Sequence, residues 1–161
     1  KGEPTADELI EDSLLGFKTR SSLLGIELKH ERSNASVKIC CDPHLVRQGL
    51  RKLIDNAIKF SQPGSAINLW ADDDGVGNVA IHVRDCGPGI SVSRLRECLQ
   101  PFVQGDMTYA RPAEGLGLGL PIANAIAEAH GGELSVTTTP GEGLIATLKL
   151  PHHAGLAALS A

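Results

Sequence analysis

Hydrophobic positions along this chain follow two rhythms. In residues 48–61 they are Leu50, Leu53, Ile54, Ala57, Ile58 and Phe60, a spacing that predicts a helix with one buried face. Leu9, Ile10, Leu14, Phe17 and Leu24 give a second helical stripe over residues 5–24, with Thr5 and Glu8 in capping-box spacing and Gly25 at the stop. Leu120, Ile122, Ile126 and Ala129 predict a third helix over 118–130, ended by Gly131-Gly132. Residues 91–99 read as a short helix before Pro101, and 100–115 as a long polar loop. The other rhythm has period two. It predicts strands at 26–30 and 37–41 around the turn Ser33-Asn34, at 66–71 and 79–85 around an acidic turn, and at 134–138 and 144–150 around a Pro-Gly turn. Val79, Ile81 and Val83 point inward there, and His82 and Arg84 outward. Asp42 and Pro43 supply a cap and a first helical residue for the helix that runs to about Ser61, where Gln62-Pro63-Gly64 turns the chain. Strands in adjacent pairs indicate hairpins. The expected class is α+β: a two-layer α/β sandwich whose mixed, mostly antiparallel sheet is covered on one face by helices.

Composition narrows this picture. A chain of 161 residues fits one domain, and 42% hydrophobic residues with only 3% aromatic ones means a core of Leu, Ile, Val and Ala. The net charge of −4 argues against non-specific nucleic-acid binding and against a basic membrane surface, and leaves a local nucleotide site possible. Cysteines 40, 41, 86 and 98 form no CxxC pair, and reduced thiols in a cytoplasmic setting are the simplest account. No apolar run approaches ~18 residues, so no span and no direct membrane contact is expected of this piece. The segment from Pro151 to Ala161 reads as a frayed tail, with His152-His153 an unstructured pair.

Three places carry candidate chemistry. Lys52, Asn56 and Lys59 share one flank of the 48–61 helix; an Asn carbonyl can meet a metal ion and a Lys can meet phosphate, although a plain amphipathic helix with exposed lysines has the same pattern. Asp85-x-Gly87-x-Gly89 ends a strand, where the Asp can accept from an exocyclic amine; alone it reads as an ordinary turn. Gly115-Leu-Gly117-Leu-Gly119 opens a helix and forms a nest of N–H groups suited to phosphate, without the ending of a Walker loop.

Taken in order, these pieces resemble the catalytic, ATP-binding domain of sensor histidine kinases, in the wider family of type II topoisomerases, heat-shock chaperones and mismatch-repair ATPases. Asn56–Ser61 (NAIKFS) is similar to the N box, Asp85–Ile90 (DCGPGI) to the first glycine box, Pro101-Phe102 to the F box, Glu114–Ala123 (EGLGLGLPIA) to the second glycine box, and Gly141-x-Gly143 to the last. The resemblance covers roughly residues 5–151 and implies the Bergerat ATP-binding fold, with ATP and Mg2+ as cofactors. It implies catalytic roles for Asn56, Lys59 and Arg111: Asn56 holds the Mg2+ ion, Lys59 contacts the phosphates, and Arg111 reaches the terminal phosphate. Phe60 stacks near the adenine, Asp85 receives its amine, Gly87 and Gly89 shape the base pocket, Ile90 and Phe102 also contact ATP, and Gly115, Leu116, Gly117, Leu118, Gly119 and Leu120 wrap the phosphates. The implied reaction is transfer of the γ-phosphoryl group to a histidine.

Two residues depart from the pattern. Lys52 stands where the N box usually has Asn and where ATP-hydrolysing relatives tend to have a carboxylate to activate water, so weak intrinsic hydrolysis is expected. Leu116 stands where Thr or Ser is usual. His30-Glu31-Arg32-Ser33-Asn34 matches a phosphoacceptor box only superficially, because that box belongs on a long helix of an upstream hairpin. His44, His82 and His130 fit no better. The acceptor is thus expected on a dimerisation domain outside this chain, in a kinase that is usually a homodimer with a response regulator as partner. Three readings stay open: a kinase ATP-binding domain, a non-catalytic nucleotide sensor or docking scaffold for a response regulator, and a different ATPase of the superfamily. Residues 103–114, the lid of the resemblance, are expected to be mobile without nucleotide.

Overall fold

Helices with one apolar face need a common surface to bury it on, and here a sheet supplies it. The computed structural model describes residues 2–32, 37–86, 119–139 and 143–152. Its elements are α1 (Ala6–Leu14), a 3-10 turn (Leu15–Phe17), α2 (Lys18–Leu23), β1 (Glu27–Glu31), α3 (Pro43–Phe60), β2 (Ala66–Asp73), β3 (Asn78–Arg84), α4 (Gly119–Ala129), β4 (Glu133–Thr139) and β5 (Gly143–Pro151). The strands form one sheet in the order β1-β2-β3-β5-β4. β1 runs parallel to β2, with Glu27 opposite Ala66; the other three pairings are antiparallel. Ile67, Leu69, Ile81, Leu148 and Leu150 from the sheet and Leu9, Ile10, Leu50, Leu53 and Ile54 from α1 and α3 share one core. The opposite sheet face carries Lys29, Asn68, Trp70, His82, Arg84 and Thr147, as the pleat requires. The mixed, mostly antiparallel two-layer sandwich is as expected.

Local signals place the helix ends. Thr5 and Glu8 close a capping box at α1, and the Asp42 side chain accepts from the backbone N–H groups of His44 and Leu45 at the start of α3. The hydrogen bond from Leu45, ahead of a smaller opposing desolvation, holds the Asp42 carboxyl below its ordinary value. Gly132, just past α4, could carry no side chain, because a Cβ there would collide with the Lys149 carbonyl of β5.

The structure corrects several expectations. Residues 37–41 alternate as a strand does, with Ile39 and Cys41 buried, yet they join no sheet. They meet residues 2–5 through single bridges, Gly2 to Cys41 and Thr5 to Lys38, and Pro4 has no N–H to continue a ladder between them. β1 therefore pairs with β2 and not with its sequence neighbour. The helix over residues 5–24 is interrupted at Leu15–Phe17, and Leu24 is 45% exposed, so it caps α2 and does not pack. On α4 the buried stripe is Leu120, Ala123, Ile126 and Ala127, while Ile122 and Ala129 face outward. The reason is the neighbour: Gly49 on α3 lies against Ile126, and small residues let the two helices approach closely. His152 is not unstructured. Its N–H donates to the Gly77 carbonyl, its carbonyl accepts from Cys40 N–H, and its ring reaches Asp73 at 3.3 Å. The turn at Ser33-Asn34, the short helix at 91–99, the loop at 100–115 and residues 153–161 lie outside the described residues.

Candidate active site

α3 is the element that carries the candidate site. Its apolar face, from Val46 to Ile58, is buried against the sheet and against α4. That burial fixes which side chains lie on the flanks. Lys52 is half-buried, Asn56 is only 5% exposed and Lys59 is exposed, so the amide is the deepest of the three and the lysines on either side of it reach toward solvent. The Asn56 side-chain amide Nδ2 has no hydrogen-bond partner among the described residues, and neither has the Ser61 Oγ just past the helix end. A buried amide left unpaired costs free energy of about 1–3 kcal/mol. Phe60 packs partly against the core.

Lys59 has a partner on its own helix. Its Nζ lies 3.1 Å from Asp55 Oδ2, and the other oxygen, Asp55 Oδ1, accepts from the Arg20 guanidinium at 2.5 Å. Burial pushes the Asp55 carboxyl up, but the hydrogen bonds from Arg20 and Lys59 outweigh it and hold the group below its ordinary value.

Asp85 follows β3 directly and is 5% exposed. Its N–H donates to the Leu144 carbonyl at 3.0 Å. Gly143, at the start of β5, has φ 102°; a Cβ there would collide with the Asp85 carbonyl and stand 3.3 Å from Asp85 Oδ1. Gly143, the described glycine of the last motif, thus lies directly against Asp85. Gly119 is the first residue of α4, where a helix exposes unpaired N–H groups, and Leu120 is buried at 1%.

Because α3 touches both β3 and α4, the structure gathers Asn56, Lys59, Asp85, Gly119 and Leu120 on elements in contact through α3. Gly87, Gly89, Ile90, Phe102, Arg111, Gly115, Leu116, Gly117 and Leu118 lie outside the described residues. The sequence pattern does not point to Arg20, to Asp55 or to the contact that Gly143 makes. Only the spacing of Asp55 and Lys59, one helical turn apart, was readable in advance. The described histidines of strands and helix ends are engaged elsewhere. His30 meets Asp7 at 3.0 Å, His82 meets Thr147 and Asp72, and the His130 ring donates to the Ile126 carbonyl and accepts from Asp42 N–H.

A family model described as histidine kinase-, DNA gyrase B- and HSP90-like ATPase matches residues 41–154. The chain belongs to that family. An uncharacterized sensor-like histidine kinase of Rhizobium meliloti (strain 1021) is 34% identical over 147 residues, which are 91% of this chain and 27% of that protein. The chain thus spans about a quarter of that relative's length. Among solved structures, the nucleotide-free catalytic domain of histidine kinase ThkA matches with a TM-score of 0.80 at 22% identity, covering 96% of this chain and 97% of that one, which establishes the fold. Full-length ShkA in complex with AMPPNP matches with a TM-score of 0.78 at 27% identity, over 93% of this chain and 31% of that one. The chain is an ATP-binding catalytic domain of the sensor-histidine-kinase type. Among its described residues no helix is long and apolar enough to cross a membrane.

Proposed function

We propose that residues 1–151 bind ATP with Mg2+ and donate the γ-phosphoryl group to a histidine on a separate dimerisation and phosphoacceptor domain. The observation that carries this is Asn56: a neutral amide buried on the α3 flank, with Nδ2 unpaired among the described residues. Such a group suits a ligand better than solvent. Among the described residues no cluster of three His, Cys, Asp or Glu could hold a metal by itself. The unpaired Nδ2 is a donor and suits a phosphate oxygen, while the carbonyl oxygen Oδ1 of the same amide would be the protein's ligand to a Mg2+ ion held otherwise by phosphates and water. When bound, the ion would neutralise charge on the phosphates. Asn56 orients the nucleotide, Lys59 adds a positive charge to the phosphate end, and Asp85 accepts from the adenine amine. Phe60, Phe102, Gly87, Gly89 and Ile90 form the base pocket, Arg111 reaches the terminal phosphate, and residues 115–120 wrap the phosphates.

The AMPPNP complex of ShkA supports a nucleotide as ligand. ThkA, a neighbour in fold, has been captured with response regulator protein TrrA. For this chain a response regulator is the proposed downstream partner, within a homodimeric kinase whose catalytic part lies in the cytoplasm. A second reading, a non-catalytic nucleotide sensor or docking scaffold, is motivated by Lys52 and Leu116. The test is phosphotransfer from radiolabelled ATP to an added acceptor domain. Label appears on the acceptor histidine, and phosphate release without acceptor stays near background because charged Lys52 cannot take a proton from water. Binding without transfer would select the second reading, and sustained release without acceptor would contradict both.

A further inference from the structure

Asp55 is a carboxylate held by two cations at once. Arg20 of α2 takes one oxygen and Lys59 of α3 takes the other. A tether between two helices needs only one cation, and Arg20 supplies it. Lys59 adds an interaction between residues one turn apart on the same helix, in the half-exposed setting where such pairs contribute little to stability. What the second cation changes is charge. Asp55 with Lys59 alone would form a neutral pair, whereas Asp55 with both cations carries a net positive charge at the flank next to Asn56. The planar guanidinium of Arg20 takes Oδ1 and leaves Oδ2 to Lys59, so the two cations do not compete for one oxygen.

We propose that Arg20 is a positioning residue for the nucleotide site: by saturating Asp55 it leaves the ammonium of Lys59 available to phosphate. This rests on the reading of Lys59 as the phosphate contact. With Arg20 in place, Lys59 can leave Asp55 for a phosphate oxygen without stranding a carboxylate. Without Arg20, the same movement leaves Asp55 unpaired at 28% side-chain exposure, and the lysine is held back. α2, which carries Arg20, is joined to α1 through the 3-10 turn Leu15–Phe17.

The test is calorimetric titration of the chain with AMPPNP and Mg2+ in a double-mutant cycle. Arg20→Gln weakens binding about three- to fivefold, the scale of one half-exposed charge interaction. In a Lys59→Ala background the same substitution changes binding less than ~1.5-fold. Arg20→Lys restores most of the loss, and Asp55→Asn binds at least as tightly as the unsubstituted chain because Lys59 is released. A merely structural salt bridge would instead make Asp55→Asn weaker and Arg20→Gln equally damaging in both backgrounds; either result overturns the proposal. Lys59→Ala that by itself leaves affinity unchanged removes the phosphate reading and the proposal with it, and is told apart because it needs no Arg20 variant. Weakening by Lys59→Ala with none by Arg20→Gln overturns the positioning role alone.

Discussion

Asn56, Asp85 and Gly143 each show how one position binds chemistry to packing. Asn56 and Asp85 are both only 5% exposed, a depth at which a polar group without a partner, as Asn56 Nδ2 is among the described residues, carries a cost. Gly143 is the residue that lets β5 pass Asp85. Gly143→Ala would force a Cβ against the Asp85 carbonyl at a φ of 102°, which L side chains rarely adopt. The expected cost is about 2 kcal/mol, read by thermal unfolding, with nucleotide affinity falling as Asp85 shifts. Unchanged stability would mean that the strand accommodates the methyl group and that this contact does not hold Asp85. The candidate residues were legible as types in an order: an Asn between lysines, an Asp before glycines. The partners of those residues were not. Arg20 and Asp55 stand 35 positions apart, and nothing in a single sequence joins them until α2 and α3 are packed.

At the scale of elements, capping and periodicity were readable because they are local. Thr5 with Glu8 and Asp42 with Pro43 fix helix starts by contacts within four residues. Strand pairing is a long-range property, and the hairpin expected between residues 26–30 and 37–41 was wrong because β1 finds β2 instead. The outer sheet face offers a separate check. Trp70, the chain's one tryptophan, stacks on His82 with ring centroids 4.8 Å apart. Burial depresses the protonation of His82, and the Asp72 carboxylate opposes it only in part. A base whose folded pKa lies below its unfolded value contributes stability above the unfolded value of about 6.5, and loses it as pH falls through the folded one. Trp70 fluorescence should therefore titrate with a midpoint below 6.5, and His82→Gln should abolish the transition. A midpoint above 6.5 would mean that Asp72 dominates.

At the scale of the molecule, the sheet and its helices form a scaffold that presents α3, the end of β3 and the start of α4 together. The overall class was legible because every apolar stripe needs a partner, and six strand-like segments with three long helical ones leave few arrangements. The chain matches 27% of the length of its Rhizobium relative, and in the proposed reading the acceptor histidine lies on a separate domain. What this domain is proposed to do by itself is hold the nucleotide and a metal ion. The decisive measurement is calorimetric titration with AMPPNP, with and without Mg2+, on the chain and on Asn56→Ala. The account predicts Mg2+-dependent binding that the variant weakens about tenfold or more with no loss of thermal stability, since the substitution also removes an unpaired buried amide. Binding that is indifferent to Mg2+, or that Asn56→Ala leaves intact, would contradict it.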